Sequence, residues 1–407
     1  MVASDKSVSV RKPPARRSKS VAEPASNRSV LFHSDSSAVE HVCGSQPGQL
    51  LAITFAPPAW GHLVGYGYLE QPLIEAGFDL LAIKQAANIG YADLNADMLR
   101  DIVQQLPPYE SCVIIGSEDA GAAAIRLFSA MAGATIVALS PVLPNDFKVA
   151  PHPQADIVIV SDPTWQSEVE NHLAARAHVP SARFVRLAHA GLPVSKALTE
   201  TGTIIELARS LSGRRPFSIQ QHFRQHRGQS ATALLALGDA TFKARHFRAA
   251  QNLLKRSYDV EPSHPAAIAY CHALAQDGDP AAAASFMGSV VQREPQNPHL
   301  LAVQAYFEDL AGWSEQALAS IRQAVTILPE MQAFQLAERR MLIPLYEELK
   351  LKQRMTAAAL DKARAELELR HGGGEKEFSW PRFYALLGAT IGILLLVAAA
   401  ASIFRLV

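Results

Sequence analysis

The sequence predicts three structural classes in one chain: an α/β domain with a mainly parallel sheet, an all-α repeat array, and one transmembrane helix. Short apolar runs alternate with helical stretches in the first half, prolines recur at a fixed period in the second, and an uncharged run lies near the end. With 407 residues, 49% of them hydrophobic, the chain can bury two sizeable cores. The predicted segments are a disordered basic tail (1–48), the α/β domain (49–212), a basic linker (213–230), the repeat array (231–368), a juxtamembrane linker (369–382) and a transmembrane helix (383–404).

Charge and cysteine content exclude several classes of function. Lys plus Arg and Asp plus Glu number 38 each, so the charge balance gives no basis for nucleic-acid binding. Cys43, Cys112 and Cys271 lie far apart in the sequence and form no metal or redox spacing. We therefore predict no metal, no cofactor and a reducing compartment.

The first 48 residues are rich in Ser, Pro and Arg and have no apolar stretch that would act as a secretory signal. A mitochondrial presequence is the alternative, but Pro13, Pro14 and Pro24 interrupt the amphipathic helix that it requires. We predict a disordered cytoplasmic tail, whose basic groups could contact anionic lipids.

Residues 49–212 predict strands that alternate with helices. Such alternation implies right-handed crossovers and a mainly parallel sheet that is covered on both faces. Near-continuous apolar runs, rather than in/out alternation, are typical of strands buried on both sides. The predicted strands are 50–55, 79–83, 112–115, 134–139, 156–160 and 184–187.

Three short motifs in this region resemble an α/β-hydrolase in their order and spacing. They are Ile-Gly-Ser-Glu-Asp-Ala-Gly-Ala-Ala (115–123), Val-Ala-Leu-Ser-Pro (137–141) and Ile-Val-Ser-Asp-Pro (159–163). More narrowly, the region is similar to bacterial hydrolase-like domains found in surface-polysaccharide and glycosyltransferase contexts. The resemblance covers roughly 160 residues and implies a strand–turn–helix elbow that presents the nucleophile.

By this resemblance, the catalytic acid falls on a residue of the expected type, whereas the nucleophile and the histidine do not. The nucleophile position falls on Glu118, with Ser117 one residue earlier, and the acid falls on Asp162. The histidine position falls on Leu192, which cannot accept a proton, and His189 lies three residues before it. The favoured interpretation is a pseudoenzyme. The alternative is an active esterase or acyl hydrolase that uses Ser117 or Glu118 with Asp162 and His189, and a register error of one or two residues also stays open.

Two further patterns are weaker. The spacing of Gly116 and Gly121 is that of a phosphate loop, but alanines replace the Lys-Ser/Thr pair that would hold phosphate and Mg²⁺. His222 and His226 would share one helix face in the basic linker, as zinc ligands do, but no acidic or cysteine partner is nearby in sequence. We interpret that linker as exposed, with one helix and a solvated histidine face.

From residue 231 the chain becomes helical and repetitive. Pro262, Pro295 and Pro329 close successive units at steps of 33 and 34 residues, close to the tetratricopeptide period. Small residues such as Gly238 and Ala250 fall where two antiparallel helices must approach closely. Such arrays commonly bind a protein or peptide in their groove; the alternative is a spacer or self-association module.

Residues 383–404 carry no charge and exceed the length that a helix needs to cross a bilayer core of roughly 30 Å. Basic residues precede this run, so the N-terminal bulk is predicted on the cytoplasmic side. Gly388 and Gly392 permit close pairing of two such helices. The sequence therefore predicts a membrane-tethered scaffold with a protein-binding array and an inactive hydrolase-like domain. The resemblance implies a role beside bacterial envelope polysaccharide or glycoconjugate assembly.

Overall fold

A computed structural model of the chain describes residues 27–44, 49–57, 60–86, 91–213 and 215–327. The chain divides into two compact units, residues 1–290 and 291–407. The first unit contains the α/β domain and the first helices of the repeat array. The described part of the second unit is one helical hairpin.

The described residues of the first unit form an eight-stranded sheet of order β1-β2-β4-β3-β5-β6-β7-β8. The strands β3 to β8 are mutually parallel, and the β1–β2 and β2–β4 pairs are antiparallel. This mainly parallel sheet, with its many helices, fits the predicted α/β-hydrolase-like fold. The strands are β1 (Arg28–His33), β2 (Ser37–Val42), β3 (Leu50–Phe55), β4 (Asp79–Gln85), β5 (Ser111–Ser117), β6 (Thr135–Leu139), β7 (Asp156–Ser161) and β8 (Arg183–Arg186).

Two hydrophobic cores cover the two faces of the sheet. Successive residues of one strand contribute to opposite cores, as Ile157 and Val158 do on β7. One core contains α2, α3 and α4, and the other contains α1, α5, α6 and α7. These helices are α1 (Glu70–Glu75), α2 (Ala96–Gln104), α3 (Asp119–Phe128), α4 (Gln166–His178), α5 (Val194–Glu200), α6 (Thr203–Ser212) and α7 (Ile219–His226).

The prediction that residues 1–48 are a disordered tail is wrong for part of this segment. Residues 28–42 form β1 and β2, so the sheet begins before residue 49. All six residues of β2 are buried, including Glu40 and His41. Because Glu40 and His41 are polar, the sequence of this short strand does not by itself indicate that the strand is buried. The rest of the predicted tail, 1–26 and 45–48, lies outside the described residues.

The linker at 213–230 is not the exposed segment that the sequence predicted. It carries the one expected helix, α7, whose Ile219 and Phe223 are buried in the core on one sheet face. His222 lies within 3.0 Å of Thr203 through Nδ1, and its ring stacks on His226 at 4.2 Å. The histidine face is thus partly packed, because α7 lies against α6.

The repeat region consists of helical hairpins, as predicted. In the first unit, Gly238 of α8 lies against Leu254 of α9, where even a Cβ atom would come within 2.6 Å of the leucine. In the second unit, Ser320 of α13 donates to Glu308 of α12 at 2.8 Å. The helices are α8 (Ala231–Lys243), α9 (Phe247–Val260), α10 (His264–Gln276), α11 (Pro280–Val291), α12 (Pro298–Leu310) and α13 (Ser314–Ile327).

Among the described residues, no helix has the length and apolarity needed to cross a membrane. The predicted transmembrane segment 383–404, the juxtamembrane linker and the array residues after 327 lie outside those residues.

Candidate functional site

The sequence-predicted site residues lie at or just after the carboxyl ends of three parallel strands, β5, β7 and β8. Ser117 and Glu118 lie at the end of β5, Asp162 at the end of β7, and His189 after β8. Because the carboxyl ends of parallel strands meet at one edge of a sheet, these residues share that edge, where α/β folds bind their ligands.

Glu118 occupies the apex of the predicted elbow between β5 and α3. Its backbone has φ 58° and ψ −127°, a conformation that L-residues rarely adopt and that costs of order 1–3 kcal/mol. The surrounding fold maintains it: the Glu118 N–H donates to Leu139 O at 2.8 Å, and its carbonyl accepts from Gly121 at 3.0 Å. Gly116 permits the turn, because a Cβ there would clash with the backbone of Ala120.

The carboxyl group of Glu118 is only partly exposed. Burial raises its pKa above the ordinary value, and the charge of Asp119 adds to that rise. The apex therefore presents a carboxyl group with an increased tendency to hold a proton. It presents no hydroxyl.

Ser117 faces away from solvent. Its side chain is 1% exposed, and its Oγ has no hydrogen-bond partner among the described residues. The hydroxyl of Tyr68 lies near Ser117 and Ser195 beneath the elbow, outside hydrogen-bonding geometry to either. Burial raises the pKa of Tyr68 to about 12, and the nearby Glu118 charge contributes. Within the described part of the chain, no base is hydrogen-bonded to Ser117, and its burial separates its hydroxyl from solvent.

Asp162 is fully buried, and backbone donors surround its carboxylate. Oδ2 accepts the N–H of Gly191 at 2.8 Å. Oδ1 accepts the N–H of His189 at 3.2 Å and both the N–H and the hydroxyl of Thr164, at 3.0 and 2.6 Å. Charge-assisted bonds of this kind are about twice as strong as neutral ones. Through these bonds, the carboxylate of Asp162 holds the main chain of the loop after β8.

The structure brings Asp162 and His189 together only through the histidine backbone. His189 is in the left-handed region, with φ 59°. Within the described ranges, no hydrogen bond joins its imidazole to Ser117, Glu118 or Asp162. Leu192, at the position expected for the histidine, is 41% exposed. The described residues therefore contain no connected nucleophile, base and acid at this edge.

Glu168 is a member of the site that the sequence did not indicate. It lies in the first turn of α4, is 4% exposed, and accepts a hydrogen bond of 2.6 Å from the hydroxyl of Ser140 at the end of β6. Burial raises its pKa, and the charges of Asp162 and Glu118 raise it further. No local motif identifies Glu168, because its proximity to the elbow arises only when α4 packs on the sheet.

The first repeat helix packs beside this edge. Gly191 has φ 84°, and a Cβ there would come within 2.9 Å of Thr232 on α8. Glu200 at the end of α5 accepts hydrogen bonds from Ser230 and Thr232, which begin α8. Farther along α8, Lys243 lies 5.8 Å from the ring centre of Trp165. The loop after β8 therefore contacts both the sheet and the repeat array.

An aromatic loop after β3 completes the edge. Trp60 is 36% exposed, stacks on His62 at 5.9 Å and meets the Tyr68 ring edge-on at 5.7 Å. Its indole N–H donates to the carbonyl of Tyr66 at 3.3 Å. This aromatic wall is suited to binding a ligand, and His62 adds an imidazole to it. Among the described residues, this edge offers no group of side chains placed to hold a metal ion.

No protein-family profile matches the chain, and no curated protein matches it in sequence. Solved structures similar to parts of it include two α/β enzymes. The capsule O-acetyltransferase of Neisseria meningitidis serogroup A has 13% identity and a TM-score of 0.34, covering 43% of this chain and 93% of its own. Carboxyl esterase 2 of Tuber melanosporum has 11% identity and a TM-score of 0.33, covering 49% and 90%.

A repeat protein is also among the similar structures. YrrB, described as a tetratricopeptide protein with an unusual peptide-binding site, has 13% identity and a TM-score of 0.25, covering 40% of this chain and 77% of its own. Both hydrolase-like and tetratricopeptide-type structures thus occur among the neighbours. At these scores, nothing about the activity of the present chain follows from them.

Proposed function

We propose that this chain is a membrane-tethered scaffold in which a catalytically inactive α/β-hydrolase-like domain supports a protein-binding repeat array. The observation that carries the proposal is the bonding of Asp162. Its carboxylate accepts the main-chain N–H groups of His189 and Gly191, rather than orienting an imidazole. A triad needs that carboxylate on the base and a hydroxyl at the apex, where this chain has Glu118.

The remaining parts of the proposal rest on the sequence and on the helical hairpins. The helix pairs α8/α9 and α9/α10 have the close contacts that such arrays use to form a groove for a polypeptide. The uncharged run 383–404 supplies the tether, and the basic residues before it favour a cytoplasmic location for the bulk of the chain. The motif resemblance favours envelope polysaccharide or glycoconjugate assembly as the setting.

The test of inactivity is covalent labelling of the full chain, purified in detergent, with an activated fluorophosphonate. We expect no adduct by intact-mass spectrometry and no hydrolysis of short acyl esters. A Ser117→Ala variant is the matched control for non-specific labelling. An adduct on Ser117 that is lost in both Ser117→Ala and His189→Ala would overturn the proposal.

The tether is tested separately. The full chain should remain with membranes after extraction at alkaline pH, and a chain truncated after residue 382 should be released. Release of the full chain would contradict a transmembrane helix at 383–404.

One observation favours a second candidate function, an active hydrolase that uses Glu118. The carboxyl group stands at the strained apex, and burial raises its pKa above the ordinary carboxyl value, the direction that favours a general acid or base. Ester hydrolysis that is abolished by Glu118→Gln but unaffected by Ser117→Ala would establish this alternative. Hydrolysis that is absent from the wild type would exclude it for the esters tested.

A further inference from the structure

Three side chains with metal-binding atoms meet where β2 ends and β4 begins. This is the end of the sheet opposite to the one that carries Glu118. His41 and Cys43 are two residues apart at the end of β2, so their side chains point to the same face. β2 and β4 are antiparallel, with Val42 paired to Leu80. That register places Cys43 across from Asp79, the first residue of β4.

The spacing of these donors matches a zinc site. The Sγ atom of Cys43 lies 3.8 Å from Nδ1 of His41, and a ring nitrogen of His41, the Cys43 sulfur and a carboxylate oxygen of Asp79 all lie within 4.8 Å of one another. Zinc bonds of about 2.3 Å to sulfur and about 2.0 Å to nitrogen, at tetrahedral to trigonal angles, separate the two ligand atoms by about 3.5–3.8 Å. The observed separation of sulfur and nitrogen requires no rearrangement.

Tyr109 orients the histidine in the form that a metal requires. Its hydroxyl donates to Asp79 Oδ2 at 2.9 Å, and its oxygen lies 2.9 Å from Nε2 of His41. Since the Tyr109 hydroxyl directs its proton toward Asp79, Nε2 of His41 is the donor in the contact between His41 and Tyr109. Nδ1 is then unprotonated, and its lone pair is directed toward Cys43. A hydrogen bond from the second ring nitrogen is typical of metal-binding histidines.

The carboxylate is also held in place. Asp79 is 1% exposed, and its Oδ1 accepts the N–H of Gly44 at 2.6 Å. Gly44 is required there, because a Cβ atom would lie 2.7 Å from Phe78 O. His41 is 6% exposed, whereas Cys43 is more open and provides a route of entry. The fold thus holds the three donor groups in place through hydrogen bonds, which distinguishes them from solvated surface groups.

We propose that His41 Nδ1, Cys43 Sγ and the Asp79 carboxylate bind one Zn²⁺ ion, with water in the fourth position. A mixed nitrogen, sulfur and oxygen set selects zinc over Mg²⁺ and Ca²⁺, which prefer oxygen ligands alone. When the bond between zinc and sulfur forms, the Cys43 thiol loses its proton to solvent. The ion joins the end of β2 to the start of β4, and so stabilises the antiparallel pairing of these two strands.

The test is metal binding by the purified full chain in detergent, after removal of metals with a chelator. We expect one Zn²⁺ bound per chain, and a cobalt–thiolate charge-transfer band when Co²⁺ is substituted. Cys43→Ser should abolish the band and His41→Gln should weaken zinc binding at least tenfold, whereas Cys271→Ser should bind as the wild type does. Tyr109→Phe should weaken binding by about tenfold to a hundredfold, because it removes the hydroxyl that orients the ligands His41 and Asp79 while leaving all three ligands in place.

Folding is monitored in parallel with metal binding, so that a variant that no longer binds zinc is distinguished from one that no longer folds. Each variant is compared with the metal-free wild type by circular dichroism and thermal unfolding, so that loss of binding is not confused with loss of structure. Failure of the wild type to retain zinc, or equal retention by Cys43→Ser, would overturn the proposal. Equal binding of Mg²⁺ and Zn²⁺ would overturn the assigned ligand chemistry.

Discussion

The N–H of Gly191 donates to Oδ2 of Asp162 at 2.8 Å, deep in the edge of the sheet that carries Glu118. On its other side, Gly191 contacts Thr232 of the first repeat helix. One loop therefore links a buried carboxylate of the α/β domain to the helical array. The arrangement gives Asp162 a structural role at a position where a triad would require a catalytic one.

Gly191→Ala should destabilise the protein and loosen the attachment of α8. The alanine would adopt φ 84° with difficulty and would place its Cβ within 2.9 Å of Thr232. We expect a loss of about 2 kcal/mol or more in the free energy of unfolding, combining backbone strain and overpacking. Gly202→Ala is the matched control, because its φ is 66° but nothing lies within 4 Å of the added atom. Equal losses in the two variants would contradict a close contact between the loop and α8.

Gly238→Ala tests the first hairpin. In an ordinary helix interior this change stabilises by roughly 0.5–1 kcal/mol. Here we expect the opposite sign, because the new Cβ would lie 2.6 Å from Leu254. Thermal unfolding of the single variants and of the pair Gly238→Ala with Leu254→Ala measures the coupling. If Gly238→Ala were stabilising by itself, the close approach of α8 and α9 would be wrong.

Lys84→Met should be strongly destabilising. Lys84 is fully buried, donates to Glu40 at 2.7 Å and reaches the carbonyl of Gly65 at 2.5 Å. Removing one partner leaves a buried charge, which costs about 3–5 kcal/mol, although the remaining Glu40–Arg28 pair favours the lower end of that range.

The comparison variant for Lys84→Met is Arg100→Met, which breaks an exposed pair with Asp97. Such surface pairs contribute roughly 0–1 kcal/mol. Urea titration of both variants distinguishes them. Adding Glu40→Gln to Lys84→Met should recover part of the loss, and no recovery would contradict the assignment of the penalty to Glu40.

Glu118→Gln should change the pH dependence of stability. The raised pKa means that the folded state binds this proton more tightly than the unfolded state does. Its contribution to stability is therefore full below the ordinary carboxyl pKa and is lost as the pH rises through the raised value. Relative to Glu118→Gln, the wild type should lose melting temperature over that interval. A relative gain with rising pH would contradict the burial of the carboxyl group.

The sequence predicted those strands whose burial is evident locally. The apolar runs of β5 to β7 indicate strands by themselves. β2 does not, because Glu40 makes it polar, and its charge is balanced by Lys84 and Arg28 from other strands. Such distant ion pairs leave no local pattern in the sequence.

The candidate site divides in the same way. The elbow at Glu118 was predictable, because the turn between a strand and a helix requires glycine at nearby positions. Glu168 was not, since only the packing of α4 brings it to the Ser140 hydroxyl. The structural role of Asp162 was also missed, because its partners are main-chain N–H groups, which every residue type except proline possesses.

The proposed inactivity of the α/β domain depends most on whether Asp162 holds the loop after β8. Hydrogen–deuterium exchange of that loop measures this directly, because the amide hydrogens of His189 and Gly191 are the ones that bond the carboxylate. These amides should exchange slowly in the wild type and at least tenfold faster in Asp162→Asn. Asp156→Asn, which removes an exposed acid at the other end of β7, should leave them unchanged. Slow exchange that persists in Asp162→Asn would contradict the structural role of Asp162 and return it to the candidates for catalysis.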